Sequence, residues 1–221
     1  MYFDSYCKPT FLRLPSEKQN RILSAGLSVF SLNGYHDAKM TEIAKKGGVS
    51  VGSLYKYFDN KHMLFLALVG KTVSRMEELL RELLNTDMDI LLKTERIIRS
   101  VQQFSREDTM LIKLYQAMTA ESDPTLAESF AVEMESVTAR IYLAAVSEGQ
   151  RLGEVRKDID PGIAAYLMST LFMSLQFSYA CDYHKKLFRI YLGDSLPDHD
   201  DFVVEQLLRF IKSALKQEEK R

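Results

Sequence analysis

No tryptophan occurs in the 221 residues, and there are only two cysteines and five prolines. Cys7 and Cys181 are far apart and sit in no CxxC or zinc-like spacing, which argues against a disulfide framework and fits a reducing, cytoplasmic compartment. Alternating apolar and polar runs are missing along the whole chain, so sheet-based architectures drop out. Catalytic signatures are missing as well: no GxSxG nucleophile elbow, no phosphate loop, and no paired Glu-x-x-His set for a di-metal bundle. Cys181-Asp-Tyr-His184 and Asp59-Asn-Lys-His62 hold groups able to bind a metal. A pair at helical spacing falls short of the three or four ligands that zinc takes. No catalytic residue, metal or cofactor is expected. Residues 1–15 have too little continuous apolar sequence and too few basic residues for a signal peptide.

Long hydrophobic runs are scarce too. Residues 163–181 form one stretch without a charge, long enough to span a bilayer. Ser169, Thr170, Ser174, Gln176 and Ser178 interrupt it, and amphipathic segments flank it, so it reads instead as a helix buried on more than one side. What is present is the composition of a soluble globular protein, 46% hydrophobic and 27% charged, with room for one large or two small domains. The net charge of −1 is unevenly spread. Residues 1–65 hold nine Lys/Arg against five Asp/Glu, and the remainder holds 20 against 25. The basic side of this modest asymmetry coincides with the most informative stretch of the chain.

That stretch, residues 40–61, reads MTEIAKKGGVSVGSLYKYFDNK. Ile43 and Ala44 share one helical face, Gly48 lacks the Cβ that a sharp helix-to-helix turn would exclude, and Val49 fills the angle. Ser50 is placed to cap a second helix whose Leu54 and Phe58 recur at i, i+4 toward the interior. Ser53, Lys56 and Tyr57, with Tyr55 beside them, occupy the opposite face. Such hydrogen-bonding and cationic groups suit phosphates and base edges in a DNA major groove.

The motif and its flanks, Ile22, Ala25, Phe30, Asn33-Gly34-Tyr35, Thr41, Ile43-Ala44, Gly48-Val49-Ser50, Gly52-Ser53-Leu54-Tyr55, Tyr57-Phe58, Asn60-Lys61 and Leu64, closely resemble the tetracycline-repressor (TetR) family of bacterial transcription regulators. The resemblance covers about residues 16–66. It implies an all-α protein with an N-terminal arm (1–15), a three-helix helix-turn-helix DNA-binding domain (16–66) and a larger helical ligand-binding and dimerisation domain (67–221), the two domains joined by a long helix. Two positions depart from the family pattern. Lys39 stands where a capping Ser or Thr is common, so that either the helix is capped less well or Lys39 itself reaches a phosphate, and Gly47 replaces a usual Ala, which suggests a frayed helix end.

The resemblance suggests Thr41, Ser50, Val51, Gly52, Ser53, Tyr55, Lys56, Tyr57 and Lys61 as DNA contacts. Tyr57 and Lys61 are assigned to phosphate, Gly52 to close backbone approach, and Val51, Tyr55 and Lys56 to bases or thymine methyls. The implied function is a homodimeric, cytoplasmic, ligand-responsive regulator of transcription, most simply a repressor released from a near-palindromic operator by a small apolar or aromatic effector, with no membrane partner.

Upstream, the arm carries aromatic residues and Pro9 and Pro15 and is read as mobile at its tip. Lys8 and Arg13 can reach a minor groove, or Phe11 or Leu12 can pack on the first helix. Ser16-x-x-Gln19 is a capping-box pattern opening a helix to about residue 32, with Ile22, Gly26, Val29 and Phe30 buried, Asn33-Gly34 at its end, and Lys18 and Arg21 on the solvent face. Asp59 or Asn60 can cap the long helix, residues 61–84, with Leu64, Leu68, Val73 and Met76 inward. Further helices are expected at 89–105, 109–120, 124–152, 161–192 with a break near Asp182, and 200–217, with a loop at 193–197 and a solvated end.

Phe104, Met110, Tyr115, Met118, Met134, Tyr142, Met168, Phe172, Met173 and Phe177 either line an adaptable apolar cavity or fill the core. Leu171, Leu175, Phe202, Val203, Leu207, Phe210 and Ile211 either complete a four-helix interface with an identical subunit or pack within the monomer. Ala164, Ala165, Ser169, Ser174 and Ser178 are small enough for close helix approach. A helical small-molecule carrier that no longer reads DNA, and an all-helical enzyme, stay open as alternatives.

Overall fold

The computed structural model describes residues 2–84, 86, 88–193 and 200–216. The inward side of Met76, the loop beyond Gly193 and the chain end beyond Lys216 lie outside the described residues. Among those described there are twelve helical segments and no strand: α1 (Tyr2–Ser5), α2 (Pro9–Leu12), α3 (Ser16–Asp37), α4 (Met40–Lys46), α5 (Val51–Tyr57), α6 (Lys61–Leu84), α7 (Ile90–Glu107), α8 (Thr109–Met118), α9 (Pro124–Leu152), α10 (Pro161–Ala180), α11 (Asp182–Leu192) and α12 (Asp200–Leu215). The expected break near Asp182 falls at Cys181. No helix among the described residues is long and apolar enough to cross a membrane.

Two compact units form. The first holds residues 1–77 with 113–136, and the second holds 78–112 with 137–221. In the first unit a row of rings explains why a middle segment joins the N-terminal helices. Phe30 of α3 stacks on Tyr35 at 5.9 Å and meets Phe65 of α6 edge-on at 5.4 Å; Phe65 meets Phe130 of α9 at 6.1 Å, and Phe130 meets Tyr115 of α8 at 5.6 Å. Each such pair adds roughly 0.5–1.5 kcal/mol to the burial of its area. His36 Nε2 also lies 3.2 Å from Glu121 Oε1.

One expectation for this unit changes. Ser16 does not cap α3, because Pro15 holds that position and Gln19 turns away, donating from Nε2 to the Leu12 and Leu14 carbonyls at 3.1 and 2.9 Å. The arm winds into α1 and α2, and Phe11, one of the two residues with a packing alternative, is fully buried. As expected, Gly34 takes a left-handed φ of 74°, although helical turns resume to Asp37.

In the second unit α10 packs against α7 and α11, and α12 against α7. A polar cluster fixes the start of α12. Arg106 pairs with Asp200, its Nη2 at 2.6 Å from Oδ1; Tyr179 donates to Oδ1 at 2.9 Å, and Gln102 Nε2 donates to the Tyr179 hydroxyl at 2.9 Å. Burial first, and the facing carboxylate next among the raising causes, push the Tyr179 phenol up to about 12. Bonding to Arg106 holds the Asp200 carboxyl below its ordinary value. A carboxyl depressed in the folded state stabilises at neutral pH and loses that contribution as pH falls below about 4. Asp200→Asn should therefore lower the melting temperature by a few degrees at pH 7, about 2–4 °C per kcal/mol lost. The variant's further decline below pH 4 should be shallower than the wild type's, as calorimetry across pH would register.

Candidate nucleic-acid interface

The corner made by α4 and α5 is braced from several sides. Ile43, Ala44, Leu54 and Phe58 are buried to 1% or less. Gly48 adopts φ +64°, where an L side chain is strained, and the turn closes with Val49 N donating to Ala44 O at 3.0 Å. Ser50 caps α5, its hydroxyl accepting from Ser53 N at 3.0 Å; Ser50 and Ser53 Oγ also bond at 2.8 Å. Lys39 supplies no side-chain cap to α4, in line with its departure from Ser or Thr. Gly47, in contrast to a frayed end, is buried and forms the C-cap of α4, its N–H donating to the Ile43 carbonyl at 2.8 Å while Gly48 N donates to the Lys45 carbonyl at 3.3 Å.

Three side-chain contacts that the sequence did not suggest brace this corner. Arg21 Nε donates to Gly47 O at 3.1 Å, Asn33 Nδ2 donates to Glu42 Oε2 at 2.9 Å, and Lys46 Nζ donates to Ser28 Oγ. Arg21 is thereby committed to the turn. Sequence carries no signal for such pairings, since each joins residues 9 to 26 positions apart on different helices or turns.

Thr41, Ser50, Gly52, Tyr55 and Lys56 are exposed, and Val51, Ser53, Tyr57 and Lys61 are half-buried. Lys39, Lys45 and Lys56 form no ion pair among the described residues and leave the corner's outer side cationic. Asn60 caps α6, its Oδ1 accepting from Met63 N at 2.9 Å. Lys61 is engaged internally. Its ammonium donates to the Tyr35, His36 and Ala38 carbonyls at 2.8, 2.8 and 3.3 Å and lies 4.7 Å from the centre of the Tyr35 ring. An ammonium has three donors, and these contacts use all of them.

The ten aromatic and thioether residues do not gather in one unit. Tyr115, Met118 and Met134 belong to the first, and Phe104, Met110, Tyr142, Met168, Phe172, Met173 and Phe177 to the second. Met110 is exposed, whereas Met118, Met134, Tyr142, Met168, Phe172 and Phe177 are buried. In the second unit Tyr142 and Phe172 meet at 5.7 Å. A cavity of about 250 Å³ opens between α10 and α12, and Met168 is the member of the ten that lines it.

Of the seven candidate interface residues, Leu175, Val203 and Ile211 are buried within the chain itself, Leu171 and Leu207 are half-buried, and Phe202 and Phe210 are exposed, the latter by 61%. Ile163, Tyr166 and Leu167 on α10 are exposed as well. The sequence did not single these out, although they recur on α10 at the spacing that also reaches Thr170 and Ser174.

A family profile described as bacterial regulatory proteins, tetR family, matches residues 22–68. The HTH-type transcriptional regulator YdgC of Bacillus subtilis is 32% identical over 149 residues, covering 65% of this chain and 71% of that one. The HTH-type transcriptional repressor KstR of Mycobacterium tuberculosis is 29% identical over 145 residues, 65% of this chain and 56% of that one. Among solved structures, the transcriptional regulator FadR from Bacillus subtilis in complex with stearoyl-CoA superposes with a TM-score of 0.72 at 20% identity, covering 88% of this chain and 98% of that one, a likeness of fold. The chain belongs to the tetR family of bacterial regulatory proteins and is a DNA-binding, helix-turn-helix regulator of transcription rather than an enzyme.

Proposed function

We propose that the protein acts as a cytoplasmic homodimer that represses transcription from a near-palindromic operator and is released by a small apolar effector. The carrying observation is the exposed, cationic face of a corner whose inner face is fully buried. Two such corners would enter successive major grooves, about 34–36 Å apart or a multiple of that. Val51, Tyr55 and Lys56 are assigned to base edges or thymine methyls, Gly52 to close backbone approach, Thr41, Ser50 and Ser53 to nearby polar contacts, and Tyr57 to phosphate. Repression is supported by the name of the relative KstR.

The second copy is proposed to cover Ile163, Tyr166, Leu167, Leu171, Phe202, Leu207 and Phe210, with Leu175, Val203 and Ile211 supporting that face from beneath. An apolar face this continuous on α10 and α12 is unusual for a solitary subunit. For the effector, Tyr142, Met168, Phe172 and Phe177 of the second unit are the proposed lining, with Phe104 and Met173 of the same unit as further candidates and the exposed Met110 at an edge; Tyr115, Met118 and Met134 belong to the first unit. The stearoyl-CoA bound to FadR supports an acyl-chain or similarly apolar ligand. To move occupancy from mostly bound to mostly free, the effector must distinguish the two conformations by about 5 kcal/mol.

Lys61 serves both readings of its position. As a phosphate contact it would have to release the three carbonyls it now holds, while the N–H groups opening α6 suit an anion without that release. Lys61→Met should thus lower stability by about 2 kcal/mol, the scale of hydrogen bonds to a charged group. Unchanged stability with a salt dependence flatter by about one unit would instead identify a phosphate contact. The function as a whole is tested by titrating a duplex selected by the wild-type protein at two salt concentrations. A regulator shows an excess of about a thousandfold or more over scrambled duplex, and adding stearoyl-CoA or shorter acyl-CoA thioesters should release it.

A further inference from the structure

The N-terminal segment reaches the far end of the recognition helix. A helix leaves its last four carbonyls without intrahelical partners. In α5 these are Leu54, Tyr55, Lys56 and Tyr57. Leu54 O is satisfied locally by Phe58 N at 3.0 Å. The other three are all taken by residues 8–10: Lys8 Nζ donates to Tyr55 O at 3.0 Å, Thr10 Oγ1 to Lys56 O, and Lys8 N to Tyr57 O at 2.9 Å. Lys8 Nζ also pairs with Asp59 Oδ1 at 2.7 Å.

Apolar contacts run alongside these bonds. Phe11, fully buried, lies 4.7 Å from the ring of Phe58 and 5.8 Å from that of Tyr57. The segment is anchored at both of its own ends. Gln19 holds the Leu12 and Leu14 carbonyls. At the other end α1 lies so close to α6 that a Cβ on Gly70 would sit 3.2 Å from Phe3 N and 3.3 Å from its Cα. Chain from residue 3 to residue 14 therefore runs as a strap from α6 to the end of α5.

A helix of seven residues is too short to persist by itself, so its position is set by what holds its ends and its buried face. Ser50 holds one end, and the strap holds the other. We infer that Lys8, Thr10 and Phe11 are positioning residues for operator reading: they fix the placement of α5 and act on DNA through it, without touching DNA themselves. Base readout tolerates displacements of only about 0.5 Å, whereas attraction to phosphates tolerates far more. Loosening the strap should therefore cost specific binding and spare nonspecific binding. A positive group at a helix C-terminus also complements the helix dipole, which suits Lys8 to this place better than an alkyl chain.

The inference rests on the DNA-reading function above. It is tested with full-length protein on a duplex selected from a random pool by the wild type and on a scrambled duplex, at two salt concentrations, beside thermal melts. The exposed Thr10→Val change should weaken selected-duplex binding about fivefold, and Lys8→Met with Thr10→Val more than tenfold, on the scale of one and two lost hydrogen bonds. Scrambled-duplex affinity and the salt slope should stay within twofold of the wild type, and Thr10→Ser, which keeps the donor, should restore selected binding. Equal loss on both duplexes with a flatter salt slope would overturn the inference in favour of direct phosphate contact by the arm. Unchanged selected binding in the double variant would overturn it too. Failure of the wild type to select any duplex would instead remove the DNA-reading function itself, and the strap's role with it.

Discussion

Phe58→Ala is expected to cost about 3–5 kcal/mol of unfolding free energy and to abolish sequence-specific DNA binding. Phe58 is fully buried at the C-cap of α5, where its ring is the platform for Phe11 and its N–H closes the last turn on Leu54. Truncation leaves a cavity under the recognition helix at the one place where the strap, α5 and the approach to α6 meet. Because the first unit is small, the loss should appear as a lower denaturant midpoint at unchanged slope if the unit melts as a whole. A conservative Phe58→Leu exchange keeps most of the volume and should retain a measurable part of operator binding. Full operator affinity in Phe58→Ala would show that α5 does not depend on its buried face.

Tyr166→Asp combined with Phe210→Asp is expected to give particles of one 25.4 kDa chain at micromolar concentration and to weaken operator binding at least a hundredfold. Both side chains are mostly exposed in the single chain, 67% and 61%, so the substitutions leave its own core intact. Across a two-fold axis each charge would be buried without a partner, and twice over, which an interface does not tolerate. Loss of the partner removes one of two linked half-site contacts, and with it the effective concentration that joins them. Sedimentation equilibrium on the wild type and the double variant reads the first effect directly. A variant that still sediments as a dimer would move the interface elsewhere.

Most of the helical layout was legible because its punctuation is local. Asp160-Pro161 opens α10 and Pro124 opens α9 at the residues expected, and the Gly48 turn and the Ser50 cap are one-residue chemistry. The candidate DNA face was legible for the same reason, since i, i+4 spacing assigns Leu54 and Phe58 inward and Tyr55 and Lys56 outward.

What could not be read were contacts across long separations. Nothing in the sequence ties Lys8 and Thr10 to carbonyls 46 or 47 residues away, or Lys61 to the backbone before α4. Periodicity also could not tell a face buried in its own chain from one left exposed, which is why Val203 and Ile211 stood beside Phe202 and Phe210 in one group. The Ser16-x-x-Gln19 pattern failed because a competing partner, the arm's own carbonyls, lay nearer to Gln19 than the helix start.

The most direct test of paired corners reading DNA grooves is selection of bound fragments from random duplexes, followed by sequencing. The account predicts two inverted half-sites with centres about 10–10.5 base pairs apart, or a whole multiple of that, and their loss in the double aspartate variant. Fragments with no shared sequence, or a single half-site recovered equally well by the wild type and by that variant, would contradict it.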